Sequence, residues 1–276
     1  MCGPRADRIW RAKASWVFAL SIILPASVTT TGCDQPPPPG ANQQGPGKRP
    51  QRLALSPEEE LELGRQAYRK VLAEMRGSVL AADHPDVGRV RHIGSRLVRA
   101  MGIEPLQREI NLRVRGYRFE WEVQVVQSEQ VNAFCLPGGK MIVFTGILAV
   151  AQNESQLATV LSHEISHALA HHASERVARD DRGVVSFLRN KAYDRQQESE
   201  ADHIGVFLMT FAGYDPDEAV RFWLRMEQHS GGGIPEFLSD HPSGAHRIRD
   251  LQNWAPKARA GKKAFDEGRI APAGGR

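Results

Sequence analysis

The stretch Gln156–His172 reads QLATVLSHEISHALAHH and places His163, Glu164 and His167 in the spacing H-E-x-x-H. On an α-helix, residues four apart share a face one turn apart, so both imidazoles can reach a single ion. Zinc suits two imidazoles plus a carboxylate, with a fourth position open to water. Glu164 sits about 100° round the helix from His163, beside that open position. There it can take a proton from a zinc-bound water as the water attacks a carbonyl. Leu157, Val160, Leu161, Ala168 and Leu169 form the stripe that would bury this helix against a core.

A zinc site of this kind needs a third ligand from another element. The run Gln196-Gln197-Glu198-Ser199-Glu200-Ala201-Asp202-His203 opens a second amphipathic segment. Glu198 and Asp202 are four apart and share a face, while Glu200 points roughly the other way. One of the pair can ligate the ion, and the other can accept the free ring N–H of a ligand histidine. His171 and His172 fall near the end of the first helix, where a partial positive charge is favoured. No catalytic role is assigned to them.

Four stretches, VNAFCLPGGKMIVFTGIL, LATVLSHEISHALAHH, ESEADHIG and HPSGAHRI, occur in this order between about Ser56 and Trp254. Together they resemble the zinc metallopeptidase family that includes HtpX, BepA and the CAAX prenyl proteases. The resemblance is to the soluble, envelope-facing branch. It implies one zinc ion per chain on His163, His167 and Glu198, with Glu164 as catalytic base and Asp202 holding a ligand histidine. It also implies that His241 approaches the metal, either as an inhibitory fourth ligand or as an oxyanion donor. Cys135 stands where a small apolar residue is more usual. The implied activity is hydrolysis of internal peptide bonds in misfolded or misassembled envelope proteins. A chaperone that holds clients in the cleft with little cleavage is the alternative.

The formal charge of the 276 residues is +4, but residues 1–16 carry +3 and residues 257–276 carry +4. The middle is about −3, and nothing argues for nucleic acid. Residues 1–32 read as an export signal: basic residues, an apolar run Trp16–Leu24 broken by Pro25, then small residues. Thr30-Thr31-Gly32-Cys33 resembles a lipoprotein cleavage box, which implies a lipid on Cys33 and a membrane partner. Location is then expected on the periplasmic side of a bacterial envelope. Residues 33–52, with four consecutive prolines, read as a tether unable to bury a core.

The catalytic domain is expected over residues 53–256. Ser56-Pro57-Glu58-Glu59 is a helix start with the capping-box pattern, and helices are expected to about Met75 and from about Asp86 to Met101. Alternation from Tyr117 to Val126 predicts a half-buried strand, followed by strands at Val131–Cys135 and Lys140–Thr145 around a turn at Pro137-Gly138-Gly139. A small antiparallel sheet beside the zinc helix would offer an extended substrate an edge to pair with. Cys135 would be the sole thiol left in a lipidated mature chain and is read as a small buried hydrophobe. Further helices are expected from Asp215-Pro216-Asp217-Glu218 to Gln228 and from Ser243 to Trp254, then a disordered basic tail over 257–276. The fold class is therefore α+β: a mostly helical zincin-type metallopeptidase domain with a small antiparallel sheet.

Overall fold

A computed structural model describes residues 48–112, 116–179, 193–229, 236–241 and 245–270. The expected export signal (1–32), the expected lipidation site Cys33 and most of the expected tether lie outside the described residues. None of the described helices is long and apolar enough to cross a membrane.

The helix expected to begin at Ser56 is α1 (Pro57–Glu74). The Ser56 side chain accepts from the Glu59 N–H, and Glu59 accepts from the Ser56 N–H, so two of the helix's otherwise unpaired donors are satisfied. Next come α2 (Pro85–Met101) and the short α3 (Glu104–Glu109). His84 caps α2 by accepting from the Asp86 N–H. Three strands follow, β1 (Glu122–Val126), β2 (Ala133–Leu136) and β3 (Lys140–Phe144), then α4 (Thr145–Val150) and α5 (Glu154–Leu169). The chain continues through α6 (His172–Arg179), α7 (Arg195–Phe211), α8 (Asp217–His229), α9 (Glu236–Asp240) and α10 (Ala245–Asp266).

The sheet is mixed and not purely antiparallel. Its order is β1-β3-β2, with β2 antiparallel to β3 and β1 parallel to it. The reason lies in the connection between β1 and β2, which does not turn back as a hairpin. Ser128 is tied to the far end of β3: its N–H donates to Thr145 Oγ1, and its carbonyl accepts from the Gly146 N–H. That pinning carries β2 past β3, which becomes the central strand.

The helix α5 is buried on every side, not only on its apolar stripe, from Gln156 through Leu169. The stripe of Leu157, Val160, Leu161 and Leu169 joins Val125, Val143 and Met141 from the sheet, and Leu97 and Ile93 from α2, in one core. On the other side α5 packs along α7 and α8, which contribute Phe207, Phe222 and Trp223. The histidine helix is thus the central element, and its polar residues must find partners inside the protein.

Two expected boundaries move. The helix expected to stop at Trp254 runs on through Pro256 to Asp266. Proline removes one backbone donor, but Ala255, Ala258 and Ala264 are buried, and Phe265 packs on Phe211 at 5.7 Å. Arg259 pairs with Asp215 and Asp217, so residues 257–266 belong to the domain and are not a disordered tail. At the other end, the last residues of the expected tether dock onto the fold. Gln51 is buried and donates to the Ala170 carbonyl at 2.6 Å, and Arg49 lies between Glu175 and Glu200.

Candidate metal centre

Four side chains from three elements converge: His163 and His167 of α5, Glu198 of α7, and His241 just after α9. One ligand atom from each lies within 4.8 Å of all the others, and all four residues are buried. His163 Nε2 lies 3.1 Å from His167 Nε2 and 3.1 Å from His241 Nδ1. The Glu198 oxygens lie 3.4 Å from each α5 imidazole, and Oε1 is 2.9 Å from His241 Nδ1. His163, His167, Glu198 and His241 are thus brought together, the grouping that the family resemblance implied.

The donor set fits zinc. Ligand bonds of about 2.0–2.1 Å in tetrahedral geometry place neighbouring donor atoms about 3.3 Å apart. The observed separations of 3.1 and 3.4 Å bracket that edge. Burial, with His163 and His172 nearby, holds the His167 imidazolium well below its ordinary pKa, leaving the ring neutral. Burial acts the other way on Glu198, yet His241, Arg247 and His163 keep its carboxyl well below the usual range. A neutral imidazole and an ionised carboxylate are the forms that bind a metal.

Glu164 stands beside this cluster. Its Oε2 accepts from the Cys135 backbone N–H at 3.2 Å, and its Oε1 lies 3.3 Å from His241 Nε2. Burial raises its carboxyl to about 7, against the pull of His241 and the Cys135 N–H. A base poised near neutrality suits both accepting and returning a proton. The Cys135 thiol is buried and pushed well upward by burial and by Glu164, as expected of a small hydrophobe rather than a nucleophile.

The bond from Cys135 also places the sheet. Phe144 N–H donates to the Asn132 carbonyl, so Asn132, Phe134 and Leu136 turn their backbone groups toward β3. Ala133 and Cys135 turn theirs to the free edge of β2. That edge runs directly to Glu164.

Asp202 lies behind His163, the place that the family resemblance implied for it, with Oδ1 3.0 Å from His163 Nδ1. Its anchor was not foreseen. Arg247 grips Asp202 with Nε at 2.6 Å and Nη2 at 2.7 Å, while its Nη1 lies 2.7 Å from Glu198 Oε2. The guanidinium also stacks over Trp223, 3.8 Å from the ring centroid. Arg247 lies in the HPSGAHRI stretch, and the signal available was a basic residue in an apolar helix face close to His241. Three more neighbours went unassigned. Tyr193 stacks on the His167 ring at 3.7 Å, His172 Nδ1 lies 2.8 Å from His167 Nδ1, and Glu200 lies 3.1 Å from His172 Nε2.

Comparison with known proteins gives a consistent answer. The model of the family described as Peptidase family M48 matches residues 88–191 and 182–255. The mitochondrial metalloendopeptidase OMA1 of Schizosaccharomyces pombe is 33% identical over 229 residues, covering 75% of this chain and 64% of that protein. Its Saccharomyces cerevisiae counterpart is 34% identical over 227 residues, covering 72% and 64%. The beta-barrel assembly-enhancing protease of Escherichia coli is 25% identical over 167 residues, covering 49% and 34%. The chain thus spans under two thirds of the length of the two fungal relatives. These relatives correct the expected location: the proteins matched over most of this chain are mitochondrial, which removes the assignment to a bacterial periplasm. The histidine pair, the carboxylate from α7 and the matched family model together establish that the chain belongs to peptidase family M48.

Proposed function

We propose that this chain is a zinc-dependent endopeptidase that binds one zinc ion through His163, His167 and Glu198. The observation that carries the reading is the buried convergence of these three donors with Glu164 alongside. A zinc ion held there supplies the Lewis acidity that amide hydrolysis requires. Glu164 accepts the proton of the attacking water and returns it to the departing amide nitrogen, the task for which its raised pKa suits it. Cys135 N–H aims the carboxylate, and Asp202 with Arg247 fixes the ring of His163.

The substrate is an extended segment of a misfolded or misassembled membrane-associated protein, pairing with the free edge of β2. The metalloendopeptidase names of the fungal relatives support a protein substrate cut internally, and the beta-barrel assembly-enhancing name of the bacterial one supports a link to membrane-protein assembly. His241 is assigned the role of an inhibitory fourth ligand rather than an oxyanion donor. Its Nδ1 lies among the ligand atoms, and its Nε2 covers Glu164.

Glu164→Gln tests the reading, because it preserves shape and ligands while removing the base. Casein cleavage by the purified chain should fall at least ~100-fold, with zinc content unchanged at about one per chain. Cleavage at the original rate would sink the proposal. A cellular phenotype fully rescued by the inactive variant would instead favour a holding function.

A further inference from the structure

His163 and His167 are held in unlike ways. His163 Nδ1 meets a carboxylate directly, at Asp202. His167 Nδ1 meets another imidazole, His172, at 2.8 Å. His172 is completely buried, and its Nε2 lies 3.1 Å from Glu200 Oε2. Glu200 in turn receives the guanidinium of Arg49, through Nε to Oε1 and through Nη2 to Oε2 at 2.9 Å. Arg49 also engages both oxygens of Glu175 on α6, with Nη2 at 2.7 Å.

The hydrogen bonds order the protons along this chain. With Nε2 of His167 turned to the ligand cluster, its ring proton sits on Nδ1 and must be donated. His172 Nδ1 can accept only as the bare nitrogen of a neutral ring, which places the His172 proton on Nε2. That proton is donated to Glu200, and Arg49 compensates the buried carboxylate. Each member thus specifies the tautomer of the one before it.

Resting on the metal assignment above, we infer that His172 and Glu200 are positioning residues for the ligand His167, and that Arg49 anchors them. The segment before α1 is then part of the metal centre. It is fastened to the end of α5 and to α6 at several points besides Arg49: Gln51 donates to the Ala170 carbonyl just after α5, the Leu55 N–H to Ser174 Oγ, and the Ala54 N–H to the Ser174 carbonyl. Tyr193 covers one face of the His167 ring, so the hydrogen bond that His167 donates to His172 fixes the remaining rotation.

The test uses the full chain, stripped of metal and titrated with zinc against a chromophoric chelator, and then loaded with cobalt for its d–d absorption spectrum. His172→Phe keeps the ring volume but removes both nitrogens, and should weaken zinc binding ~10–100-fold, the usual cost of losing a ligand's hydrogen-bond partner. The cobalt spectrum at saturation should also shift, which lost packing alone would not produce. His172→Asn restores an acceptor where Nδ1 stood and should recover most of the affinity. Arg49→Met should weaken zinc several-fold in the wild-type background and not at all in His172→Phe, because its effect passes through His172.

Wild-type affinity and spectrum in His172→Phe would overturn the inference, as would an Arg49→Met effect that adds fully to His172→Phe. If His172→Phe does not fold, Arg49→Met decides alone: unchanged affinity and unchanged cobalt spectrum refute the relay. His163→Ala is the separate control. Full zinc retention there would remove the metal assignment itself rather than the relay.

Discussion

Replacing Arg247 by methionine removes one cation from between two buried carboxylates. Asp202 is 3% exposed, Glu198 is fully buried and Arg247 is 2% exposed, so water cannot take over the lost contacts. Charge centres about 4 Å apart attract by roughly 4 kcal/mol at an effective dielectric of 20. Arg247 makes that contact twice, with Asp202 and with Glu198, and adds the face of Trp223. Its own desolvation offsets much of this sum. Measured losses for breaking buried pairs, about 3–5 kcal/mol, are therefore the better guide, because the cost lies mainly in the stranded carboxylates. Both carboxyls sit below their ordinary range although burial pushes them up, and Arg247 is a leading cause each time. Urea unfolding of the metal-free protein, followed by tryptophan fluorescence, should show the midpoint falling at constant slope. Asp202→Asn in the same background removes one stranded charge, so the double variant should lose less than the two single losses combined. A loss below about 0.5 kcal/mol for Arg247→Met would refute the claim that this guanidinium neutralises the site.

Two further outcomes follow from packing and from charge. A Cβ on Gly64 would lie 1.7 Å from the Pro137 carbonyl oxygen, a backbone atom that cannot swing away. Gly64→Ala should therefore destabilise by about 2–3 kcal/mol although alanine is the better helix former, and a neutral or stabilised variant in urea unfolding would contradict this. The Glu175 carboxyl is lowered to about 2, against its burial, by Arg49, Gln197 and Arg179. Since the folded form binds the proton less readily than the unfolded form, this stabilisation is complete above pH ~4.5 and disappears as pH falls toward ~2. After screening it is worth about 1–2 kcal/mol, so Glu175→Gln should flatten the stability curve across that interval. An unchanged acid slope would count against it.

The sequence revealed most where a periodicity met a chemical requirement. Two histidines four apart must share a helix face, and a zinc ion needs an oxygen or nitrogen donor from elsewhere, so His163 and His167 could be matched to the Glu198/Asp202 pair before any fold was known, and the family resemblance singled out Glu198 as the ligand. The capping box at Ser56 was equally plain, because both of its bonds are local. What escaped was long-range. Arg247 and Arg49 look like ordinary solvated bases in sequence, and only the fold brings them to carboxylates 45 and 151 positions away. The strand order was hidden for the same reason, since the Ser128–Thr145 contact that threads β2 past β3 leaves no periodic trace. Pro256 is a local stop signal that the fold overrules: buried alanines and Phe265 beyond it carry the helix on to Asp266.

One helix joins these observations. Glu198, Glu200 and Asp202 all lie on α7, and at about 100° per residue the first and third point within ~40° of each other, while the second points ~200° away. The pair serves α5, where Glu198 meets both ligand histidines and Asp202 meets the back of His163. Glu200 is turned instead toward α6 and meets His172. One turn beyond, Gly205 lies so close to α5 that a Cβ there would be 3.3 Å from the His163 backbone nitrogen and from Ser162 Oγ. The spacing between carboxylates and imidazoles is therefore set by backbone packing of two rigid helices, which short side chains could not adjust by bending. A zinc centre built this way tolerates little ångström-scale drift, and that explains why both α5 histidines are held from behind, His163 by Asp202 of α7 and His167 by His172 at the start of α6.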